Sequence, residues 1–401
     1  MKILIVTQYF WPENFRINDL TIGLKERGHE VTVFTGKPNY PGGKFYKGYT
    51  FFGNNTENWN GITIIRSPLI PRGKGGGVRL FLNYISFAFF SSLNALFLNV
   101  KPDLIFVYEP SPVTVGIPAI IIKKKAKAHM VLWVQDLWPQ VLAVSGGIKN
   151  KSILKYSGLL TQWIYKYSDK ILVQSNAFTE YLILQNVPSS KINYFPNSTE
   201  PFYKPKQKHS NYQKHFTSKY NLVFAGNIGE SQSFDTLLKA AVLVKGKNRD
   251  IGWVIIGEGR MKDDVSKKII EYGIEDNFKL IGSFPPTEMP YFYAYADALI
   301  MSLKKDFVIS LTIPGKLQSY MACGKPIIGC LNGEGAKIIK ESECGLVADG
   351  ENEEDLCNKI LFFFSLTEYE QTIMGQKSLA YYKKEFDREM LLNKLISIAN
   401  G

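Results

Sequence analysis

KILIVTQYFWPENFRINDLTIGLKERGHEVTVFT, residues 2–35, decides the fold class. It opens on an uninterrupted apolar run, KILIVT (2–7), as a strand buried on both faces requires. A polar loop follows. In the helical stretch after it, Leu20 and Leu24 stand four apart on one face, and Gly28 supplies the stop. HEVTVFT then reads as a second strand. Strand, loop, helix and strand form the unit of a doubly wound parallel sheet.

Outward from that stretch the same grammar continues through GITIIRS (61–67), PDLIFVYE (102–109), HMVLWVQD (129–136) and DKILVQS (169–175). It restarts near residue 221. NLVFAGNIG, IGWVIIGEG, FKLIGSF, DALIMSL and KPIIGCL alternate with helical stretches. Between the two series, FPNSTEPFYKPKQKHSNYQKH (195–215) is rich in Pro, Ser, Asn and Lys and reads as a linker. The expectation is an α/β chain of two doubly wound parallel-sheet, Rossmann-like domains, residues 1–200 and 201–380, with a cleft between them. The last stretch, SLAYYKKEFDREMLLNKLISIA, reads as one helix.

Composition narrows the function. Of 401 residues, 45% are apolar and 21% charged, which suits a globular protein with a core in each half. Lys and Arg number 48 against 36 Asp and Glu, a net charge of +12. That favours an anionic partner: a phosphate-bearing ligand, an anionic membrane or nucleic acid. No helix-turn-helix or RNP-like motif supports the last of these. Cys323, Cys330, Cys344 and Cys357 show no CxxC spacing and fit reduced thiols. The four histidines, His29, His129, His209 and His215, form no HExxH, so no metal site is expected. MKILIVTQYF lacks the pattern of a signal peptide, and a cytoplasmic protein is expected.

IPGKLQSYMACGKP (313–326) carries the sharpest chemical signal. Pro314 suits a first helical turn, Gly315 lets a ligand approach the backbone, and Gly324 ends the helix. The free N–H groups of the helix start, with Lys316 beside them, suit a phosphate or diphosphate. An ordinary helix start with an exposed lysine reads the same on this segment alone. Its position adds weight, because it follows DALIMSL at the ligand-binding edge of the second sheet. AGNIGESQS (225–233), with Gly226 and Gly229, opens at that edge. So does IIGEGR (255–260), which falls short of GxGxxG because Lys262 takes the last glycine's place. Three glycine turns along one edge point to a nucleotide diphosphate in the second domain.

LFLNYISFAFFSSLNALFLNV (80–100) has no charge over 21 residues and by length could span a bilayer. Asn83, Asn94, Asn99 and three serines interrupt it, and a parallel sheet needs a helix there. A domain helix partly open to lipid is the expectation, residues 78–100. Arg66, Arg72, Lys74, Arg79 and the run KKKAK (123–127) surround it and suggest peripheral attachment to anionic lipid.

The chain resembles the retaining GT-B-fold glycosyltransferases of family 4. Within them it is similar to the bacterial O-antigen and capsule transferases of N-acetyl-L-fucosamine. The resemblance rests on TQYFWPENFRINDL, RGHEVTVFTGKPNYPGG, VQDLWPQ, YFPN, FAGNIGESQSFDTLLKAA, GEG and IPGKLQSYMACGKPII, in the family's order. It implies a UDP-sugar donor on the second domain and a polyprenyl-diphosphate-linked saccharide acceptor on the first. It also implies metal-independent chemistry without a cofactor, and a final helix, 381–401, that packs back on the first domain. By the same resemblance Gly226, Asn227, Gly229 and Gln232 match the glycine turn, and Gly257 and Glu258 border the nucleotide. Ser283 and Phe284 lie where the base is read, and Pro314, Gly315 and Lys316 form the diphosphate-binding helix start. Asp136 falls near the reacting carbon, as a stabiliser of the sugar cation or an orienter of the acceptor. The leaving phosphate itself takes the acceptor's proton in the family's front-face mechanism.

The sequence departs from the family at four places. Asn227 and Gln232 stand where many relatives carry Arg and Lys, and Leu311 and Ser319 where many carry two glutamates. Lys316 gains importance, and Lys304 and Lys305 are candidates for the missing charge. For the acceptor, Arg16 is the candidate phosphate contact; Glu13, Asn14, Glu109, Ser111 and Trp138 are further contacts. Two alternatives stay open: a nucleotide-sugar 2-epimerase on the same fold, and a non-catalytic basic phospho-ligand-binding protein.

Overall fold

The computed structural model describes the chain except residues 54, 74–76, 145–147, 149 and 401, so Lys74 lies outside the described residues. The chain forms two compact units, Met1–Pro196 with Glu389–Gly401, and Asn197–Arg388.

The first unit contains β1 (Lys2–Val6), β2 (Glu30–Gly36), β3 (Thr56–Trp59), β4 (Ile62–Ser67), β5 (Leu104–Glu109), β6 (His129–Val134), β7 (Lys170–Val173) and β8 (Ile192–Tyr194). Its helices are α1 (Arg16–Glu26), α2 (Gly77–Phe97), α3 (Gly116–Ala126), α4 (Gln140–Val144), α5 (Lys151–Tyr167) and α6 (Asn176–Leu184). The strand order is β3-β4-β2-β1-β5-β6-β7-β8. Every neighbouring pair is parallel except the β3–β4 hairpin. That hairpin turns through Asn60 and Gly61, both at positive φ, as a two-residue turn requires. Strand order reverses between β1 and β5, so the ligand crevice belongs at their carboxyl ends.

The second unit contains β9 (Tyr220–Ala225), β10 (Ile251–Ile256), β11 (Phe278–Leu280), β12 (Ala298–Ser302), β13 (Ile327–Cys330) and β14 (Gly345–Ala348). Its helices are α7 (Ser210–Gln213), α8 (Phe234–Lys247), α9 (Lys262–Glu271), α10 (Met289–Tyr295), α11 (Phe307–Leu311), α12 (Gly315–Ala322), α13 (Glu334–Glu341), α14 (Glu353–Ser365) and α15 (Glu368–Glu385). The order β11-β10-β9-β12-β13-β14 is all parallel and reverses between β9 and β12. Its core joins Leu222 and Phe224 of β9 to Leu237, Leu238 and Ala241 of α8, all fully buried.

Two expectations need correction. The final stretch is two helices. α15 ends at Glu385 with buried Phe386 as its C-cap, and α16 (Arg388–Asn400) begins after Asp387, a residue type that favours helix starts. α15 stays with the second unit, while Leu391, Leu392 and Leu395 of α16 pack into the first unit's core with Ile17 and Leu24. An Arg27–Glu389 ion pair joins α1 to α16. The stretch expected as a linker is also docked. Tyr212 stacks on Tyr291 at 5.5 Å, Phe216 on Tyr295 at 4.8 Å, and His215 meets Phe284 at 5.7 Å. Tyr212, and Phe216 just beyond the stretch, pack on α10, a contact that the Pro- and Lys-rich composition hides.

Candidate functional site

In the second unit the glycine turns after β9 and β10 interlock, and the Gly282 turn after β11 joins them. Gly226 and Gly257 lie at φ 147° and 153°, a region side chains avoid. A Cβ on Gly257 would stand 1.8 Å from the Gly226 carbonyl oxygen. The Gly257 N–H donates to the Gly282 carbonyl at 2.8 Å, and the Ile228 N–H to the Glu258 carbonyl at 2.9 Å. Gly226 and Asn227 are exposed, whereas Gly229 is buried, packed on the Asn227 amide.

α12 delivers its lysine to this place. Pro314 is the N-cap, one position before the expected first helical residue, and Gly315 is the exposed first residue. Lys316 and Tyr320 stand one turn apart, so they share a helix face. The Tyr320 hydroxyl accepts from the Ala225 N–H at 2.9 Å, fixing α12 against the end of β9. The Lys316 ammonium then lies 3.7 Å from the centre of the Phe224 ring and donates to Gln232 Oε1 at 2.5 Å. A Cβ on Gly226 would be 3.3 Å from Lys316 Nζ. Lys316 is half-buried, and desolvation pulls its pKa down to about 7.

Other predicted residues stand around this centre. Glu258 is exposed and pairs with Lys262 at 2.7 Å. Ser283 is exposed, while the Phe284 ring packs on Phe292 at 4.6 Å. The Ser319 hydroxyl donates to the Lys316 carbonyl at 2.9 Å, within its own helix. The two lysines expected to replace missing charge do otherwise. Lys305 turns to Asp349 at 2.6 Å, and Lys304 lies 3.8 Å from Glu230. Phe224 and Tyr320 were missed by sequence reasoning. Tyr320 was legible from its four-residue spacing to Lys316; Phe224 looks like any buried strand residue.

In the first unit, β5 and β6 bring Glu109, Ser111, Asp136 and Trp138 together. Ser111 lies at φ 82° and donates from Oγ to Asp136 Oδ2 at 2.6 Å, while Trp138 Nε1 donates to Ser111 Oγ at 3.0 Å. The Asp136 carboxyl is pushed up to about 6 by burial, which the Ser111 hydrogen bond opposes. Trp138 packs edge-on to Tyr84 at 6.3 Å. Arg16 opens α1, its charge reaching Tyr108, and Arg72 lies 4.8 Å from the centre of the Tyr40 ring.

Two of the expected acceptor contacts are buried, and one of them, Glu13, holds loops together. Glu109 is 1% exposed; its carboxylate accepts the N–H groups of Ser111 and Asp136, and Oε1 is left without a partner. Burial raises its pKa well above the carboxylate range. Glu13 is fully buried, and its carboxylate accepts the N–H groups of Phe10, Asn39 and Tyr40 at 3.2, 2.7 and 2.7 Å. Fully buried and bonded to three backbone donors, this carboxylate organises loops and does not face a ligand. Asn14 is exposed beside it.

The model for the glycosyl transferase 4-like domain matches residues 14–198, and that for glycosyl transferases group 1 matches residues 205–378. Both halves of the chain thus match glycosyltransferase domains, and the chain is a glycosyltransferase. That makes it a transferase enzyme, built on the GT-B pairing of two Rossmann-like domains. WbjE of Pseudomonas aeruginosa, named as a probable glycosyltransferase, is 27% identical over 54% of this chain. That match spans about half of WbjE, 54% of its length. WcaI of Escherichia coli (strain K12), named for a glycosyl transferase role in colanic acid biosynthesis, is 23% identical over 81% of this chain and 82% of its own. Anabaena Alr3699/HepE, solved in complex with UDP, shares the fold at TM-score 0.71 and 12% identity, covering 99% of both chains.

Proposed function

We propose that this glycosyltransferase moves an N-acetylated amino sugar, N-acetyl-L-fucosamine by its resemblance, from a UDP-sugar to a polyprenyl-diphosphate-linked saccharide. The pathway class is bacterial O-antigen or capsule synthesis, and the chemistry is metal-independent and retaining. The single observation that carries the donor half is Lys316 held among interlocked glycine turns at the switch point of the second sheet. The UDP complex of HepE supports uracil as the base.

The chemistry follows from charge. As the glycosidic bond to the donor breaks, negative charge builds on the diphosphate and positive charge on the sugar carbon. A preorganised cation and helix N-terminus lower the first, and donors of this kind are commonly the largest catalytic contribution. Asp136, ionised above its raised pKa, stabilises the second or orients the acceptor hydroxyl. Ser111 and Trp138 fix its carboxylate.

The acceptor half is supported by the surface of the first unit. α2 is long and apolar enough to cross a membrane by length and composition, and it exposes Val78, Phe81, Phe89, Leu96 and Phe97 by 53% or more. α3 packs on both α2 and α5, and α5 exposes Ile153, Tyr156, Leu159 and Trp163. The three helices carry no Asp or Glu and seven Lys or Arg. An apolar face with cations on its helices suits the anionic inner surface of a cell membrane, and this supports the reading of a cytoplasmic enzyme attached peripherally to it.

The test is product analysis. The protein is incubated with UDP-N-acetyl-L-fucosamine or UDP-N-acetylglucosamine and vesicles carrying a polyprenyl-diphosphate saccharide, with EDTA present. A lipid product one sugar longer, α-linked from an α-donor, is expected. Epimerised UDP-sugar without acceptor would establish the 2-epimerase reading, and nucleotide binding without turnover the non-catalytic one.

A further inference from the structure

The first unit braces an arginine at its ligand edge. Arg72 stands in the loop between β4 and α2, beyond the carboxyl end of β4. Its backbone N–H donates to Asn39 Oδ1 at 3.0 Å, and its half-buried guanidinium lies 4.8 Å from the centre of the Tyr40 ring. Among the described residues that guanidinium makes no hydrogen bond and no ion pair. Two other arginines of the unit are spent on the fold. Arg66, fully buried, pairs with Glu57 and donates to the carbonyls of Gly36 and Trp11, and Arg27 pairs with Glu389. Glu13, whose charge meets that of Arg72 at the Tyr9 hydroxyl, is bonded to backbone N–H groups instead. A guanidinium is a permanent cation with five donors in a planar fork, a shape that matches phosphate oxygens.

The surroundings say which phosphate. The charges of Arg72 and Asp136 both reach the Tyr84 hydroxyl, and Tyr84 packs on Trp138, whose indole donates to Ser111. Tyr9 hydrogen-bonds Tyr84 and lies 5.8 Å from Tyr40. One aromatic cluster thus links the cation to the carboxylate, built from the loops after β1 and β2 and from α2. Tyr84 belongs to α2, whose exposed apolar stripe starts at Val78 and Phe81. Arg79, exposed in the first turns of that helix, packs on Gly73 beside Arg72. A ligand that meets all three features carries a phosphate, a long apolar chain on one side of it and a hydroxyl-bearing group on the other. We propose that Arg72, braced by Tyr40, binds the diphosphate of the lipid-linked acceptor, with Arg79 at the rim. The prenyl chain then leaves along α2 and the saccharide extends toward Asp136. The inference rests on the acceptor reading above; it is a binding role, and no bond is made or broken. A phospholipid headgroup offers the same phosphate chemistry, but the half-buried place of Arg72 beside the Asp136 cluster favours the acceptor.

The experiment is titration of the whole protein with farnesyl diphosphate, with UDP in excess to fill the donor site. The natural protein is expected to bind it, and inorganic diphosphate to compete. Arg72→Gln is expected to weaken the Kd about tenfold or more, the scale of a lost hydrogen bond between charged groups. Arg72→Lys, a cation without the fork, is expected to fall between the two. The melting temperature, the UDP affinity and co-sedimentation with phosphatidylglycerol vesicles are expected to be unchanged in Arg72→Gln. An equal Kd in that variant overturns the proposal, as does failure of the natural protein to bind farnesyl diphosphate. A loss of vesicle binding that matches the loss of farnesyl diphosphate binding overturns it too, and assigns Arg72 to lipid headgroups. The product analysis above separates the inference from the reading beneath it. Lipid product formed undiminished by Arg72→Gln overturns the inference alone; no lipid product from the natural protein removes the acceptor reading and the inference with it.

Discussion

The Ser111 hydroxyl donates to Asp136 at 2.6 Å while accepting from the Trp138 indole at 3.0 Å, so a single serine links β5 to the loop after β6. It opposes the burial that lifts the Asp136 carboxyl to about 6. Ser111→Ala removes that opposition. A hydrogen bond to an ionised group contributes about 1.5–3 kcal/mol, so the acidic limb of the transfer rate is expected to move up by about 1–2 pH units. A pH–rate profile with the lipid-linked acceptor checks it. An unmoved limb with a lower plateau would mean that Ser111 serves packing alone.

Asp136→Asn trades activity for stability. The folded carboxyl has a raised pKa, so between its ordinary range near 4 and about 6 the unfolded chain loses its proton first. Stability therefore falls as pH rises through that window. The asparagine avoids this cost, and about 2 kcal/mol of added stability is expected at pH 8, with little at pH 4. Paired denaturant melts at the two pH values measure it, alongside loss of transfer.

The lysine has the opposite sign. Its folded pKa, about 7, lies below that of the unfolded chain, which holds the extra proton from pH 7 up to the ordinary lysine range. Stability from this group rises with pH across that window, by at most about 1.4 kcal/mol per unit. Lys316→Met is expected to flatten the rise in urea melts between pH 7 and 9, and to cut the transfer rate ~100-fold or more.

Much of this was legible in the sequence. The β-branched run of residues 2–7 and its successors in both halves fall on strands of two parallel sheets. What stayed hidden was short or was settled by tertiary packing. β3, β8 and β14 have only three or four residues, too few for alternation to show them. In the site, residue type suggested ligand contact for Glu13 and Glu109. Their burial beneath backbone donors follows from loops whose courses are far apart in sequence: Glu13 answers to Asn39 and Tyr40. Lys305 was assigned by charge alone, and Asp349 claims it from 44 residues away.

Glu13→Ala strands three backbone N–H groups in the interior. A loss of about 2–4 kcal/mol is expected, since each unsatisfied buried donor costs on the order of 1–3 kcal/mol and partial hydration relieves some of it. Chemical denaturation reads the loss, and UDP affinity, which belongs to the second unit, is expected to be unchanged.

Phe81→Glu with Phe89→Glu places two anions on the exposed stripe of α2. Co-sedimentation with vesicles containing phosphatidylglycerol is expected to fall at least tenfold, with UDP binding intact. Equal sedimentation of the variant would remove α2 from the membrane face.

The account turns on a nucleotide diphosphate seated at Lys316. Thermal melting of the natural protein and of Lys316→Ala with UDP, GDP, ADP, dTDP and NAD tests this most directly. The account predicts that UDP raises the melting temperature, that the other nucleotides do so less, and that the substitution abolishes the shift. A UDP shift that survives in Lys316→Ala, or no shift with any nucleotide, would contradict it.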